Sequence, residues 1–332
     1  MKIKRLGRTG LKVPEVCLGT MTFASQADEK TAFHVMDLAA DRGVTFFDTA
    51  DVYPIPVSVE TAGRTEEIVG KWLRGKRDNI VLATKCGMKM GEGANDSGLS
   101  RKHVLEAIEA SLKRLGTDYV DLYQVHSPDP ATPIDETLRA LDAIVQSGKA
   151  RYIGCSNFRA WQLCRALWTS DRLGIARFDS VQPRYNILFR EIEHEVLPLC
   201  ADQGVGVIVY NPLAGGFLTG KHHRGRSPEA HTRFAVAGPL YLDRYWNEAS
   251  FDGVERLRSF FETRGKPLTR VALAWVLARE EVTSAIVGAT SPAQLEDSLA
   301  GVDLTLDQDE MEECNRVWFE LPRARDPRVA LR

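Results

Sequence analysis

The stretch SRKHVLEAIEASLKRLGTDYVDLYQVH, residues 100–126, contains a helix pattern followed directly by a strand pattern. Apolar residues recur at helical spacing between Ser100, a residue type that caps helix N-termini, and Gly116, a residue type that ends helices. The run VDLYQVH is too short for a helix and has the composition of a buried parallel strand. The stretch therefore predicts one helix–strand unit. The apolar face of its helix consists of Val104, Ile108, Leu112 and Leu115.

Runs like VDLYQVH recur along the chain, and helical patterns separate them. With residues 120–126 they make eight predicted strands. Alternating strands and helices predict parallel βα units. Eight such units favour an α/β fold of the (β/α)8 TIM barrel class over a doubly wound open sheet. The other runs are residues 16–19, 44–49, 80–85, 150–157, 178–182, 205–210 and 283–288.

Three segments lie outside the repeating units. Residues 1–14 predict an N-terminal β-hairpin that caps the barrel bottom. Residues 211–250, after strand 7, predict a long loop insertion. Residues 320–332 form a C-terminal tail, and residues 1–332 are interpreted as a single domain.

The composition is that of an ordinary globular protein. Hydrophobic residues make up 44% and charged residues 27%, and the net charge is −2. Nothing here favours a nucleic acid or an anionic membrane as partner. No signal peptide or membrane span is recognised, and the six cysteines form no C-x-x-C pair. We expect buried thiols, no metal site and a cytoplasmic location, and we expect the tryptophans on helical patterns (Trp161, Trp168 and Trp275) to be packed.

Chemically useful side chains follow three neighbouring predicted strands. Asp48, Lys85 and His126 end strands 2, 3 and 4, and Tyr53 lies just beyond Asp48. Barrel active sites are built where strands end. A carbonyl that accepts hydride needs a proton donor, and a phenol whose pKa is lowered by an ammonium can serve. Asp48 would keep Lys85 charged, and a neutral His126 would orient the carbonyl. The alternative is a Schiff-base Lys85, as in barrel aldolases or isomerases.

Later strand ends suit a nucleotide. Ser156, Asn157 and Gln182 offer hydroxyl and amide groups that fit a carboxamide, and Tyr210 offers a ring for stacking. The loop AGGFLTG, residues 214–220, follows strand 7, where barrels commonly bind phosphate through backbone N–H groups.

Five segments carry a family resemblance. They are TFFDTADVY (45–53), TEEIVGKWL (65–73), GKARYIGCSNF (148–158), VQPRYN (181–186) and YNPLAGGFLTGK (210–221). On these motifs the chain resembles the aldo-keto reductases over nearly its whole length. The resemblance implies the reduction of an aldehyde or ketone to an alcohol, with hydride from C4 of NADPH and a proton from Tyr53. It implies a small-molecule carbonyl partner, and it leaves a homo-oligomer open.

The same resemblance implies a catalytic tetrad and a set of cofactor-binding residues. The tetrad consists of Asp48, Tyr53, Lys85 and His126. The cofactor-binding residues are Thr20, Met21, Asp48, Ser156, Asn157, Gln182, Tyr210, Asn211, Pro212, Leu213, Gly215, Leu218, Gly220, Lys221, Arg233, Gly288, Thr290, Gln294, Asp297 and Ser298.

The chain departs from the family pattern at two places, and the first is the set of residues around the adenosine end of the cofactor. Asp297-Ser298 stands where many members have Glu-Asn around the adenine, and Gly288 and Gln294 replace basic residues near the 2′-phosphate. Thr290, Ser291 and Arg233 are expected to hold that phosphate, so NADPH is expected over NADH.

The other departure is the long loop of residues 53–67, which resembles the bacterial Tas-type branch and is expected to shape the substrate pocket. The substrate is therefore not inherited from better-known members. The alternative function is a cofactor-binding regulatory subunit that resembles the potassium-channel β subunits.

Overall fold

A computed structural model describes residues 1–322, and its strands match the predicted runs closely. Eight of its strands, β3 to β10, form a closed barrel in the order β10-β3-β4-β5-β6-β7-β8-β9. Every neighbouring pair is parallel, as between β6 and β7, where Leu122 lies opposite Tyr152. The predicted (β/α)8 barrel is therefore confirmed. In chain order the strands are β1 Ile3–Arg5, β2 Lys12–Pro14, β3 Val16–Gly19, β4 Phe46–Asp48, β5 Val81–Cys86, β6 Val120–Val125, β7 Ala150–Ser156, β8 Ser180–Gln182, β9 Gly206–Tyr210 and β10 Val282–Gly288.

Helices connect the strands. The third helix begins and ends as predicted, because the Ser100 hydroxyl accepts a hydrogen bond from the His103 N–H at 3.3 Å and Gly116 adopts a φ of 64°. In the described residues the helices are α1 Glu29–Asp41, α2 Arg64–Leu73, α3 Arg101–Leu115, α4 Ile134–Gln146, α5 Ala160–Leu173, α6 Val196–Gln203, α7 Arg233–Val236, α8 Pro239–Tyr245, α9 Glu248–Glu262, α10 Leu268–Leu277, α11 Pro292–Leu299 and α12 Gln308–Glu320.

The N-terminal hairpin is also confirmed. Strands β1 and β2 pair antiparallel, with Ile3 opposite Pro14. Leu6 and Val13 are fully buried and belong to the same core cluster as the barrel residues Phe46 and Leu122. The hairpin therefore contributes side chains to the core at the N-terminal ends of the strands.

The backbone contacts divide the chain into two compact units. The first comprises residues 1–184, 192–210 and 280–296 and contains the barrel. Among the described residues, the second comprises residues 185–191, 211–279 and 297–322. The segment 211–250 was predicted as a loop insertion. The structure differs from this prediction, because the segment contains α7, α8 and the start of α9. The single-domain interpretation stays a prediction, and most of the predicted tail lies outside the described residues.

The exposure of the tryptophans and cysteines differs in part from the expectation. Trp275 is fully buried, but Trp161 and Trp168 on α5 are 56% and 63% exposed, so their predicted packing is wrong. Cys164, on the same helix, is exposed as well, whereas the other cysteines are buried. Within residues 1–322 we find no helix with the length and apolarity that a bilayer crossing requires. The same residues contain no group of three or more His, Cys, Asp or Glu side chains that is able to hold a metal ion.

Candidate active site

Four side chains predicted to act together surround the C-terminal ends of β4, β5 and β6. Asp48 ends β4, Lys85 lies in β5, and His126 follows β6. The Lys85 ammonium is fully buried. It donates hydrogen bonds to Asp48 Oδ1 at 2.5 Å and to the Thr49 carbonyl at 2.7 Å, and it lies 3.5 Å from the Tyr53 hydroxyl. The structure therefore brings carboxylate, ammonium and phenol into one hydrogen-bonded chain.

The charge of Lys85 is set by opposing effects. Burial disfavours the ammonium, but the negative charge of Asp48, and then the contact with Tyr53, outweigh burial and hold the pKa of Lys85 above its ordinary value. The ammonium consequently stays charged at neutral pH. A charge held this close to the Tyr53 oxygen stabilises phenolate relative to phenol.

His126 presents a neutral ring beside the phenol. Its ring centroid lies 5.7 Å from that of Tyr53, with the planes at 82°. Burial, and then the charge of Lys85, lower the pKa of His126 to about 3. Its Nδ1 has no hydrogen-bond partner among residues 1–322. A neutral imidazole is a donor through one nitrogen only, and it can orient a carbonyl oxygen without adding charge.

The other oxygen of Asp48 is held by two amides that lie inside the barrel. Asp48 Oδ2 accepts from Gln182 Nε2 at 2.8 Å and from Gln124 Nε2 at 3.1 Å. The two glutamines also bond each other, Gln182 Nε2 to Gln124 Oε1, at 3.2 Å. Sequence reasoning missed Gln124. The available signal was strand periodicity, because Leu122 faces the interior and a residue two positions later faces it too.

A second polar group occupies the ends of β7, β8 and β9. The Ser156 hydroxyl donates to the Gln182 carbonyl at 2.8 Å, and the Tyr210 hydroxyl donates to Asn157 Oδ1 at 2.8 Å. Asn157 also donates from Nδ2 to the His126 carbonyl at 2.9 Å, and its φ is 62°. Side-chain hydrogen bonds to Tyr210 and to the His126 carbonyl therefore hold Asn157 in this left-handed backbone conformation. Amide, hydroxyl and aromatic groups in this arrangement fit a planar ring that bears a carboxamide.

Most of the residues predicted around the nucleotide sugar and the 2′-phosphate, with the exception of Arg233, lie in the barrel unit as well. Thr20 donates from both its N–H and its hydroxyl to the Asp48 carbonyl, each at 3.0 Å. Met21, together with Met88 and Met90, packs against the buried cluster of Ala50, Val52 and Tyr53.

Two more of these residues, Thr290 and Gln294, bond each other after β10. Gln294 Oε1 accepts from the N–H of Thr290 at 3.0 Å and from its hydroxyl at 2.8 Å. Gly288, at the end of β10, lies opposite Gly19 of β3.

The remaining cofactor candidates belong to the second unit. Gly215 has a φ of 70°, and a Cβ there would lie 2.6 Å from the ring of Tyr241. The guanidinium of Arg233 stacks on the same ring at 5.6 Å. Asp297 forms an ion pair with Arg270 at 3.0 Å, so its carboxylate already has a cationic partner. The other candidates in this unit are Asn211, Pro212, Leu213, Leu218, Gly220, Lys221 and Ser298.

Comparisons with known proteins agree with this geometry. The model of the aldo/keto reductase family matches residues 15–318. The uncharacterized oxidoreductase YrpG of Bacillus subtilis is 39% identical, with 96% of each chain covered. A probable voltage-gated potassium channel subunit beta of Arabidopsis thaliana is 40% identical over 92% of each chain, and protein tas of Escherichia coli is 33% identical over 96% of this chain and 97% of its own. The chain therefore belongs to the aldo/keto reductase family, and it is an NAD(P)H-dependent oxidoreductase that acts on a small molecule.

Proposed function

We propose that this protein reduces an aldehyde or ketone to an alcohol, with NADPH as hydride donor and Tyr53 as proton donor. The observation that carries the proposal is the buried chain from Asp48 through Lys85 to the Tyr53 hydroxyl, with its 2.5 Å and 3.5 Å contacts. The Tyr53 hydroxyl has the Lys85 ammonium on one side, and the neutral ring of His126 lies beside the phenol. This combination serves a carbonyl that becomes an alkoxide.

Each residue then has one task. Bound NADPH supplies a hydride from C4 of its nicotinamide. Tyr53 gives its proton to the oxygen that becomes negative, and Lys85 stabilises the phenolate left behind. The neutral ring of His126 donates a hydrogen bond to the carbonyl oxygen and fixes its direction. Asp48 holds the ammonium in place.

The electrostatics oppose the Schiff-base alternative. A lysine that attacks a carbonyl must be neutral, and catalytic lysines of this kind have depressed pKa values. Asp48 instead holds the pKa of Lys85 above its ordinary value. Aldolase or isomerase chemistry through Lys85 is therefore disfavoured.

We assign the cofactor site from the family resemblance together with the polar group at the ends of β7 to β9. Ser156, Asn157 and Gln182 take the carboxamide, and Tyr210 takes the ring face. Residues 211–221 take the pyrophosphate, and Arg233 takes the 2′-phosphate.

The role of Arg233 at the 2′-phosphate can be tested by substitution. We expect Arg233→Ala to raise the KM for NADPH about tenfold and to leave the KM for NADH nearly unchanged, because charge-assisted hydrogen bonds to a phosphate are strong. Equal changes for both cofactors would contradict the NADPH preference.

Tyr53→Phe tests the chemistry directly. We expect loss of NADPH oxidation with a panel of aldehydes by about 10²–10⁴-fold, because the variant lacks the proton donor. NADPH binding, measured by quenching of tryptophan fluorescence, should stay close to that of the wild type. Full activity in this variant would show that Tyr53 is not the proton donor.

The Arabidopsis thaliana relative named as a probable channel subunit favours a second candidate function. A cofactor-binding regulatory subunit would bind NADPH tightly and show no turnover on any carbonyl of the panel. It would also co-purify with a membrane channel from its own cells. If the wild type reduces carbonyls and Tyr53→Phe abolishes this turnover, a regulatory role is excluded as the main function. A cytoplasmic location and a homo-oligomer remain predictions.

A further inference from the structure

We propose that Gln124 is a positioning residue of this active site: its amide links the Asp48 carboxylate to the Gln182 amide and so sets both the charge around Lys85 and the direction of the nicotinamide-binding group. The inference rests on the proposed function. Gln124 touches neither reacting atom, and its effect passes through its two neighbours.

The geometry shows how one side chain serves two groups. Asp48 comes from β4, Gln124 from β6 and Gln182 from β8, which are alternate strands of the barrel. Side chains from alternate strands share one layer of a barrel interior. Gln124 is fully buried in that layer. Its Nε2 faces Asp48 at 3.1 Å, and its Oε1 faces Gln182 at 3.2 Å.

Hydrogen-bond accounting fixes the orientation of Gln182. An amide nitrogen carries two hydrogens. Those of Gln182 are directed at Asp48 and at Gln124, 2.8 Å and 3.2 Å away. Its Oε1 is therefore the end that accepts a hydrogen bond from a carboxamide. Without the Gln124 acceptor, the Gln182 amide loses one of the two bonds that hold it in this orientation.

The same contacts affect proton transfer. Two amide donors withdraw negative charge from Asp48 Oδ2, while Oδ1 faces the Lys85 ammonium. Removing one donor makes the potential around Lys85 more negative. Phenolate at Tyr53 then becomes less stable, and the pKa of Tyr53 rises. The charged and titratable groups that bear on this titration are Asp48, Lys85 and His126, together with the buried Asp51 and Cys17, whose charges also interact with Lys85.

Three variants separate these effects. Gln124→Leu removes both bonds, and Gln124→Glu keeps an acceptor towards Gln182 but removes the donor to Asp48. Leu122→Met is the matched control, since Leu122 lies in the interior of the same strand among apolar side chains. Circular dichroism and thermal unfolding establish that each variant folds.

We expect Gln124→Leu to weaken NADPH binding about five- to tenfold, as loss of a buried hydrogen bond does, and to move the pH profile of alcohol oxidation upward by about half to one unit. Gln124→Glu should move the profile at least as far and weaken NADPH binding less than Gln124→Leu does. Leu122→Met should change neither quantity. If Gln124→Leu behaves like the control, the proposal is overturned, and if this variant does not fold, Gln124→Glu alone decides it by the pH profile.

A titration that needs no turnover keeps the two proposals apart. The ionisation of Tyr53 is followed as the difference between the ultraviolet titrations of each protein and its Tyr53→Phe counterpart. An upward shift in the Gln124 variants supports the positioning role even if no carbonyl is reduced. An unchanged Tyr53 titration in an enzyme that reduces carbonyls would overturn the positioning role and leave the proposed function standing.

Discussion

At the residue scale, Asp51 is a buried carboxyl group whose surroundings do little to stabilise its charged form. It is fully buried, and its backbone N–H donates to the Lys85 carbonyl at 3.1 Å. Neither of its carboxyl oxygens has a hydrogen-bond partner within residues 1–322. Glu66, by contrast, accepts from the Thr84 hydroxyl at 2.5 Å and pairs with Arg114 at 2.7 Å. Burial, and then the charge of Glu66, raise the pKa of Asp51 well above its usual range.

This environment predicts a pH-dependent stability. A carboxyl whose pKa is higher in the folded state stabilises the fold when protonated, below about pH 4, and this contribution is lost as pH rises towards the folded-state pKa. Asp51→Asn carries no charge at any pH. We therefore expect this variant to exceed the wild type in free energy of unfolding by about 1–3 kcal/mol at neutral pH, with the difference shrinking as pH falls.

Urea unfolding between about pH 5 and pH 8 measures the effect. The control is Asp78→Asn, since Asp78 is exposed and should change the free energy of unfolding by less than about 0.5 kcal/mol. A destabilised Asp51→Asn protein at neutral pH would show that the carboxylate is supported by the fold.

At the element scale, helix α5 carries an unusual surface. Trp161, Cys164 and Trp168 lie three and four residues apart and are all exposed, and the Arg172 guanidinium stacks 5.3 Å from the Trp168 ring. Helical periodicity predicted the helix but assigned these large side chains to the interior. The opposite face, with Leu163, packs inward instead.

This exposure predicts selective thiol chemistry. Maleimide should label Cys164 rapidly in the native protein, because only an accessible thiol meets the reagent. Burial raises the pKa of Cys200 to about 12 and keeps its thiol from reacting. Mass spectrometry should show loss of labelling in Cys164→Ala and unchanged labelling in the matched Cys200→Ala variant. Rapid labelling of Cys164→Ala would mean that a buried cysteine becomes exposed in solution.

Sequence patterns and structure agree best where the signal is local. Ser100 and Gly116 define the ends of α3 because caps are chosen by backbone geometry at single positions. For α4 the spacing of Ile134, Leu138, Leu141 and Val145 predicts one apolar face. This prediction is partly wrong, since Ile144 is buried and Val145 is only half-buried. Neighbouring apolar residues give no local signal for which one meets the core.

The candidate site shows the same limit. Asp48, Lys85 and His126 were recognisable because each lies at or just beyond the end of a strand and carries a reactive group. Gln124 is an unreactive amide within a strand, and its contact with Gln182 depends on barrel closure. Its importance therefore becomes visible only with the positions of β4 and β8.

At the scale of the whole molecule, the barrel interior changes character along its axis. Phe46, Ala83 and Leu122 belong to one apolar cluster at the hairpin end. Two residues later on the same strands lie Asp48, Lys85 and Gln124, which form or adjoin the polar layer. Barrels of this class separate stability at the strand N-termini from chemistry at the C-termini. A change at the hairpin should therefore alter stability and leave the chemistry intact.

Gly7, in the hairpin turn, tests this separation. Its φ is 57°, and a Cβ there would lie 2.4 Å from the Gly204 carbonyl oxygen and 2.6 Å from the Gly206 nitrogen. Both obstacles are backbone atoms, one at the end of α6 and one at the start of β9, so they cannot rotate away. We expect Gly7→Ala to lower the free energy of unfolding by at least about 2 kcal/mol, because strain and steric conflict add.

The matched control is Gly10→Ala in the same turn, since a Cβ at Gly10 meets nothing within 4 Å and its φ is not in the left-handed region. That variant should stay within about 0.5 kcal/mol of the wild type. Urea unfolding gives the two free energies, and kcat at a temperature where Gly7→Ala remains folded gives the chemistry. If kcat of folded Gly7→Ala fell tenfold, strain at the hairpin would reach the polar layer, and the two ends of the barrel would not be independent.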